Sequence, residues 1–240
     1  MGDRGLFCNG KKAWSKEMKN LIVNELFYSL QGEGPHQGLK TVFVRLQGCN
    51  LRCKYCDTEY AQDLKGGREI ELDEVVGTVK RMAEAVVGCN YVCITGGEPL
   101  IQPVNELIAK LRTLGYNVDI ETNGSLPLVY MNMLEVEHKC TTILDIKTPG
   151  SGMHRKMHFH NLSRLRTTDV VKFVCNDLED VRYAEGVLRE YPTRAQPYIS
   201  PAWNTPFLKD IAGKVMLSVH PFRLQTQLHK QIWGSRKRGV

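Results

Sequence analysis

Thr41-Val42-Phe43-Val44-Arg45-Leu46-Gln47-Gly48-Cys49-Asn50-Leu51-Arg52-Cys53-Lys54-Tyr55-Cys56 decides the reading of this chain. A β-branched, apolar run over Thr41–Gln47 reads as a strand. It passes through a glycine into three cysteines spaced Cys-x3-Cys-x2-Cys. Three thiols that close in sequence cannot all be core positions of one strand or helix, but from a loop they can all reach one inorganic centre. Structural zinc wants four ligands, usually two separated pairs, and no second pair or nearby histidine follows; His36 is the closest. An electron-carrying iron–sulfur cluster takes four cysteines. Three suit a [4Fe–4S] cluster with one iron left open for a ligand.

The remaining cysteines are read differently. Gly88-Cys89-Asn90 and Cys93 echo Gly48-Cys49-Asn50 and Cys53, but no third cysteine follows. Cys93 lies within Tyr91-Val92-Cys93-Ile94-Thr95, a buried-strand pattern. Cys8, Cys89, Cys93, Cys140 and Cys175 are therefore read as structural. The first twenty residues hold five basic side chains but no apolar stretch of signal-peptide length, so the expected compartment is reducing and cytoplasmic. No apolar run is long enough for a membrane span.

The net charge is +6 over 240 residues, unevenly placed. Residues 1–20 carry +3 and residues 222–240 carry +5, so the body between them sums to −2. That argues against a nucleic-acid partner, and Arg236-Lys237-Arg238 reads as a solvated tail.

Moving outward, strand patterns recur at Tyr91–Thr95, Asn117–Glu121, Thr142–Lys147, Val170–Val174 and Pro197–Ser200. Helix patterns fall at Leu72–Val87, Val104–Leu114, near Leu126–Val136, and at Leu178–Glu190. Pro103 fits a first-turn proline of the second helix. Alternating strand and helix implies parallel strands with right-handed crossovers. Six units predict an α/β fold, a single-domain partial (β/α)6 barrel over residues 21–240, with residues 1–20 as an appendage. The polar motifs cluster at strand ends: Cys49–Cys56, Gly96-Gly97-Glu98-Pro99, Glu121-Thr122-Asn123-Gly124, Asp145-Ile146-Lys147 and Ser200-Pro201, with Lys172 in the fifth strand. In βα folds that edge carries the active site, so the pattern points to an enzyme. In Gly96-Gly97-Glu98-Pro99, the glycines allow close backbone approach, and the carbonyls with Glu98 can receive a ligand ammonium.

Together these motifs resemble the radical S-adenosylmethionine (SAM) superfamily. Within it, Asn24-Glu25-Leu26-Phe27-Tyr28-Ser29-Leu30-Gln31-Gly32-Glu33-Gly34, Cys56-Asp57-Thr58-Glu59-Tyr60-Ala61, Glu121-Thr122-Asn123-Gly124 and Gln227-Leu228-His229 resemble the 7-carboxy-7-deazaguanine synthase family. The resemblance runs from about residue 21 to 240. It implies conversion of 6-carboxy-5,6,7,8-tetrahydropterin to 7-carboxy-7-deazaguanine, by ring contraction with loss of ammonia, in 7-deazapurine and queuosine biosynthesis. It implies a [4Fe–4S] cluster on Cys49, Cys53 and Cys56, S-adenosyl-L-methionine regenerated each cycle, and Mg2+ on Thr58. Carried over by motif, Tyr55, Cys56, Asp57, Gly97, Glu98, Asp145, Ile146 and Lys147 face the cofactor. Leu30, Gln31 and Gly32 offer mainly backbone contacts to the pterin. Arg45 holds its carboxylate as a bidentate pair. Thr95 contacts it, and Gln227 and His229 close over it. The resemblance further implies a homodimer and an electron donor such as a flavodoxin. Lys54-Tyr55 departs from the more usual Arg-Trp, and the cluster loop is the short form. Other readings stay open: a glycyl-radical activating protein, a radical enzyme acting directly on tRNA, or a non-enzymatic, metal-stabilised binding module.

Overall fold

A computed structural model describes residues 20–128, 140–235 and 237–240. Cys8, most of the expected appendage and the helix expected near Leu126–Val136 beyond Leu128 lie outside those residues. Asn20 opens the first strand.

The six expected strands form, with small shifts at their ends: β2 (Lys40–Leu46), β4 (Tyr91–Gly96), β5 (Asn117–Thr122), β6 (Cys140–Asp145), β7 (Val170–Cys175) and β8 (Gln196–Pro201). Each pairs in parallel with the next. Three strands were not expected: β1 (Asn20–Leu30), β3 (Arg68–Glu71) and the two-residue β9 (Arg223–Leu224). The sheet order is β3-β1-β2-β4-β5-β6-β7-β8-β9, with β1 antiparallel to both its neighbours. The two outer strands do not pair with each other, so the barrel is open, as six units imply.

A β-bulge hides β1 from a period-two reading. The register steps from Val23↔Leu46 to Glu25↔Arg45, leaving Asn24 as the extra residue. Before the bulge Leu21 and Val23 join the main core; after it Leu26 and Tyr28 do, while Phe27 turns to the opposite face against Phe43 and Cys93. One inserted residue swaps the faces of everything beyond it.

The helices are α1 (Leu72–Glu84), α2 (Val104–Thr113), α3 (Asn161–Arg164), α4 (Leu178–Glu190), α5 (Leu208–Met216) and α6 (Leu228–Trp233). α1 buries Leu72, Val75, Val79 and Ala83. Asp177 caps α4 by accepting from the Glu179 and Asp180 amides. Pro103 occupies the N-cap of α2 rather than its first turn. The helix-side core takes Val42, Val44, Val92, Ile94, Val118, Ile120, Leu144, Val171 and Phe173. The opposite, concave face is left with Phe27, Phe43, Cys93, Ile143, Val170 and Tyr198. Cys89, Cys93, Cys140 and Cys175 are all buried, in keeping with their structural reading.

The β1–β2 connection crosses the concave face and closes the open side. The Gln225 side-chain amide bonds both backbone polar groups of Gly34, at 2.6 and 2.8 Å. The Leu228 amide donates to the Gly32 carbonyl. A Cβ on Gly32 would lie 2.0 Å from the His229 ring, so glycine here is what lets α6 dock.

The Gly-Gly turn after β4 is equally tight. The Gly97 amide donates to Leu46 O and the Glu98 amide to Gly48 O. A Cβ on Gly97 would stand 2.1 Å from the Gly48 carbonyl oxygen. Gly97→Ala is expected to cost about 1–3 kcal/mol, as overpacking against backbone does. A fall in the urea midpoint measures it. Gly77→Ala, whose Cβ meets only the Arg81 guanidinium at 3.5 Å inside α1, serves as the control and is expected to be neutral or stabilising.

Candidate active site

A cleft of about 430 Å³ opens at the C-terminal ends of the parallel strands. The loop after β2 forms one wall. Gly48, at φ +97°, turns the chain, and its amide donates to Ala61 O, while the Cys49 amide donates to Gln62 O. This brings Cys49, Cys53 and Cys56 to the cleft as free, partly buried thiols. Burial raises the Cys49 thiol and pushes that of Cys53 up to about 11. Cys49 Sγ accepts from the Leu51 amide at 3.4 Å and from Asn123 Nδ2 at 3.7 Å, donors suited to a metal-bound thiolate.

Among the described residues, no three His, Cys, Asp or Glu side chains converge on a single metal ion. Zinc needs sulfurs about 2.3 Å from one point. A cubane cluster takes each cysteine on a different iron, so its ligands need not converge. The donor set fits the cluster and not a zinc centre.

The concave-face residues at the tops of the strands supply the floor. Arg45 pairs with Glu25 directly across β1–β2, Nε to Oε1 at 2.6 Å, and Tyr60 OH donates to the same oxygen at 3.2 Å. The Arg45 guanidinium lies 5.4 Å from the Phe27 ring centroid and 5.9 Å from that of Tyr60. Among the described residues its two terminal nitrogens have no hydrogen-bond partner, and the side chain lines the cleft. Next to it, Thr95 donates its hydroxyl to Glu121 at 2.8 Å. Thr95 can therefore only accept from a ligand. Burial raises the Glu121 carboxyl.

Lys172 sits between Glu33, at 2.7 Å, and Asp145, at 3.5 Å, and Lys147 binds the same Asp145 oxygen at 2.9 Å. Burial works to raise the Glu33 carboxyl, but the Lys172 ammonium and the Gln227 amide hold it at about 2. Among the described residues Asp145 Oδ1 is buried without a partner in a side chain that lines the cleft, so a bound hydroxyl or ammonium can satisfy it. Gln227 Nε2 donates to Glu33 at 2.6 Å and to Asp57 at 3.3 Å. Lys230, buried, pairs with Asp57 at 2.6 Å. Thr58 donates to the other Asp57 oxygen at 3.0 Å and lines the cleft.

Of the residues expected from sequence, Leu30, Gln31, Gly32, Arg45, Thr95, Gln227 and His229 line this one cleft. So do Cys49, Cys53, Tyr55, Cys56, Asp57, Thr58, Gly97, Asp145 and Lys147. Glu98 and Ile146 do not line it, and two backbone oxygens at its edge already have partners. Glu98 is fully buried, and its carboxylate already accepts from the Leu100 and Asn123 amides and the Thr122 hydroxyl; it pins the Gly-Gly turn and leaves only backbone facing a ligand. Ile146 is fully buried in the helix-side core, because alternation sends its neighbours Asp145 and Lys147 to the cleft. The Gly32 carbonyl already accepts from Leu228 and Gln37, and the Gln31 carbonyl accepts from Gly38. Tyr55 OH is also engaged, donating to Val174 O at 2.9 Å, which leaves its ring to face the cleft.

In the basic tail Lys237 and Arg238 are exposed, as expected of a solvated segment, and they also border the cleft, with the Arg238 guanidinium 3.7 Å from the Tyr60 ring centroid. Sequence reasoning assigned no role to Glu25, Glu33, Glu121, Lys172 or Lys230. Glu121 and Lys172 carried a usable signal, a polar residue at or near a strand's end; Lys230 carried none. The lining holds six Lys or Arg against four Asp or Glu, which suits anionic ligands.

No helix among the described residues is long and apolar enough to cross a membrane. The radical SAM superfamily model matches residues 43–167. The 7-carboxy-7-deazaguanine synthase of Methanospirillum hungatei is 38% identical, covering 93% of this chain and 90% of that protein. That of Clostridium acetobutylicum is 36% identical, covering 92% of this chain and all of the other. The crystal structure of QueE from Escherichia coli shares the fold at a TM-score of 0.68 and 20% identity, over 86% of this chain and 94% of that one. With a three-cysteine loop at the head of an open parallel barrel and these relatives along nearly its whole length, the chain belongs to the radical SAM superfamily and, within it, to the 7-carboxy-7-deazaguanine synthase family.

Proposed function

We propose that this chain converts 6-carboxy-5,6,7,8-tetrahydropterin to 7-carboxy-7-deazaguanine, with ring contraction and loss of ammonia. The observation that carries this is the Arg45 guanidinium, pinned on one side by Glu25, lining one cleft with the cysteine loop, and with its terminal nitrogens unpaired among the described residues. A carboxylate clamp thus shares the cavity with the site of radical generation.

Cys49, Cys53 and Cys56 would hold the [4Fe–4S] cluster. The backbone at Gly96 and Gly97, the Tyr55 ring, Asp145 and Lys147 would bind S-adenosylmethionine. When bound, these two groups supply reversible hydrogen-atom abstraction. The protein's own part is placement. Arg45 fixes the substrate carboxylate and so the position of the carbon that bears it. Glu121, oriented by Thr95 and Gln31, presents oxygen acceptors to ring N–H groups. His229, whose imidazole burial keeps below its usual value, and the α6 segment exclude water. Thr58, beside Asp57, would offer a hard oxygen to Mg2+, which keeps its other positions for water and substrate. The chain would work as a cytoplasmic homodimer, reduced by a flavodoxin-like donor.

The test is an anaerobic reaction of reconstituted protein with S-adenosylmethionine, Mg2+, reductant and the carboxypterin, read by mass spectrometry. Deazaguanine formed with less than one cofactor consumed per turnover is the expected result. Cofactor cleavage without deazaguanine would overturn the substrate assignment.

Glu25→Ala frees the Arg45 fork to rotate. A charge-assisted hydrogen bond is worth about 1.5–3 kcal/mol. KM for the carboxypterin is expected to rise roughly 10- to 100-fold with kcat little changed, and Glu25→Gln, which keeps an acceptor for Nε, to restore most of the loss. Steady-state kinetics of the three proteins decide it.

A further inference from the structure

The outer side of the cluster loop carries a charge pattern that the reaction itself does not use. From Ile146 to Thr168 the chain has five Lys or Arg, three His and no Asp or Glu, and Cys49–Cys56 adds Arg52 and Lys54, again with no acid. The body as a whole is slightly acidic, so this is a local concentration. The fold joins the two segments. The Lys54 amide donates to Ser151 O at 3.0 Å, and a Cβ on Gly152 would stand 3.4 Å from Lys54 Cε. On the inner side the Lys147 amide donates to Met157 Sδ at 3.2 Å, so the basic segment is clamped between the cluster loop and the cleft wall. Arg52, Lys54, Arg155 and Lys156 are all exposed. Beside the rim Asp180 accepts from the Gly150 and Asn176 amides, and Asp177 caps α4.

We propose that this rim, centred on Lys54, Arg155 and Lys156, is the docking surface for an acidic protein that donates single electrons. The inference rests on the radical reading of the cleft, which requires an electron from outside in the activation step. Two observations favour such a partner over a nucleic acid. The rim lies directly outside the cysteine-bearing loop, so a donor seated there delivers its electron by the shortest route through Cys53 and its neighbours. Outside the two rim segments, residues 21–221 hold 15 Lys or Arg against 24 Asp or Glu, a net charge of −9 that repels a polyanion. On docking, the donor is oxidised by one electron and the cluster held by Cys49, Cys53 and Cys56 is reduced by one. No bond in the protein changes. Charge complementarity of this kind acts mainly on encounter rate and specificity.

The test compares the native sequence with Arg155→Glu/Lys156→Glu and Arg155→Gln/Lys156→Gln proteins, using an acidic flavodoxin as probe. Binding to flavodoxin is measured by calorimetry at low and physiological salt, and cluster reduction by stopped-flow absorbance with flavodoxin or with dithionite. Affinity is expected to fall at least tenfold in the charge-reversed protein and by less in the neutral one. The salt dependence should flatten. Reduction by flavodoxin should slow in parallel, while reduction by dithionite stays unchanged, which also shows that the variants are folded. Equal flavodoxin binding and reduction rates across the three proteins would overturn the proposal. So would a variant that loses affinity for tRNA alone, which would make the rim a nucleic-acid surface. If dithionite-reduced protein makes no deazaguanine, the substrate reading fails, and flavodoxin binding still decides the docking surface.

Discussion

Cys53→Ala protein, reconstituted anaerobically with iron and sulfide, is expected to lose the visible absorbance of a [4Fe–4S] cluster and more than 100-fold in turnover. Losing a mere supporting partner of a metal ligand costs roughly 10- to 100-fold in affinity or activity; losing the ligand itself must cost more. Among the described residues these are the three thiols that line the cleft; Cys89, Cys93, Cys140 and Cys175 are buried and do not line it. Cys93→Ala is the matched control. It removes a fully buried sulfur from the small cluster with Phe27 and Phe43, so it should lower stability while leaving iron and sulfide content intact. Iron and sulfide analysis of the two proteins, beside their denaturation midpoints, separates a ligand from a core residue. Equal iron content in Cys53→Ala and the native sequence would remove Cys53 from the ligand set.

Lys172→Met is expected to be the most destabilising single change in the cleft, at about 3–5 kcal/mol, the usual cost of stranding a buried partner charge. Its ammonium serves two carboxylates, Glu33 and Asp145, in a site only 8% exposed. Adding Glu33→Gln to the lysine variant should restore a large part of the loss, because one of the stranded charges is then gone. The pH dependence follows from Glu33. Its folded value, about 2, lies below the ordinary 4.5. A depressed carboxylate contributes stability above its unfolded value and loses that contribution as pH falls through the folded one. The native sequence should therefore lose this contribution between about pH 4.5 and 2. In Lys172→Met the ammonium is gone and burial, opposed by the Gln227 amide, raises Glu33, so the loss of stability between about pH 4.5 and 2 should shrink. Urea titrations across that range measure the shift.

Much of this was legible in the chain order. Parallel strands with intervening helices follow from β-branched runs alternating with amphipathic ones, and local periodicity placed all six within a few residues. The cysteine loop, the Gly-Gly turn and the strand-end position of the polar motifs were equally local. β1 was not legible, since the bulge at Asn24 changes which face its alternate residues take. α5 carries helical spacing in Leu208, Ile211, Ala212 and Val215 that was legible but not assigned, whereas the two-residue β9 lacks a local pattern and forms against β8.

By itself, the sequence determined the parallel α/β layout, the edge of the sheet that carries the chemistry and the cysteines that face it, because each of these depends on residues close together along the chain. Only the tertiary structure decided the partnerships. Lys172 meets Glu33 across 139 positions, and Lys230 meets Asp57 across 173. Glu98 turned out to be a buried pin, and the basic tail a border of the cleft. Buried charges must find partners wherever the fold brings them, and that choice is made by sheet register and loop crossing, which no local pattern encodes.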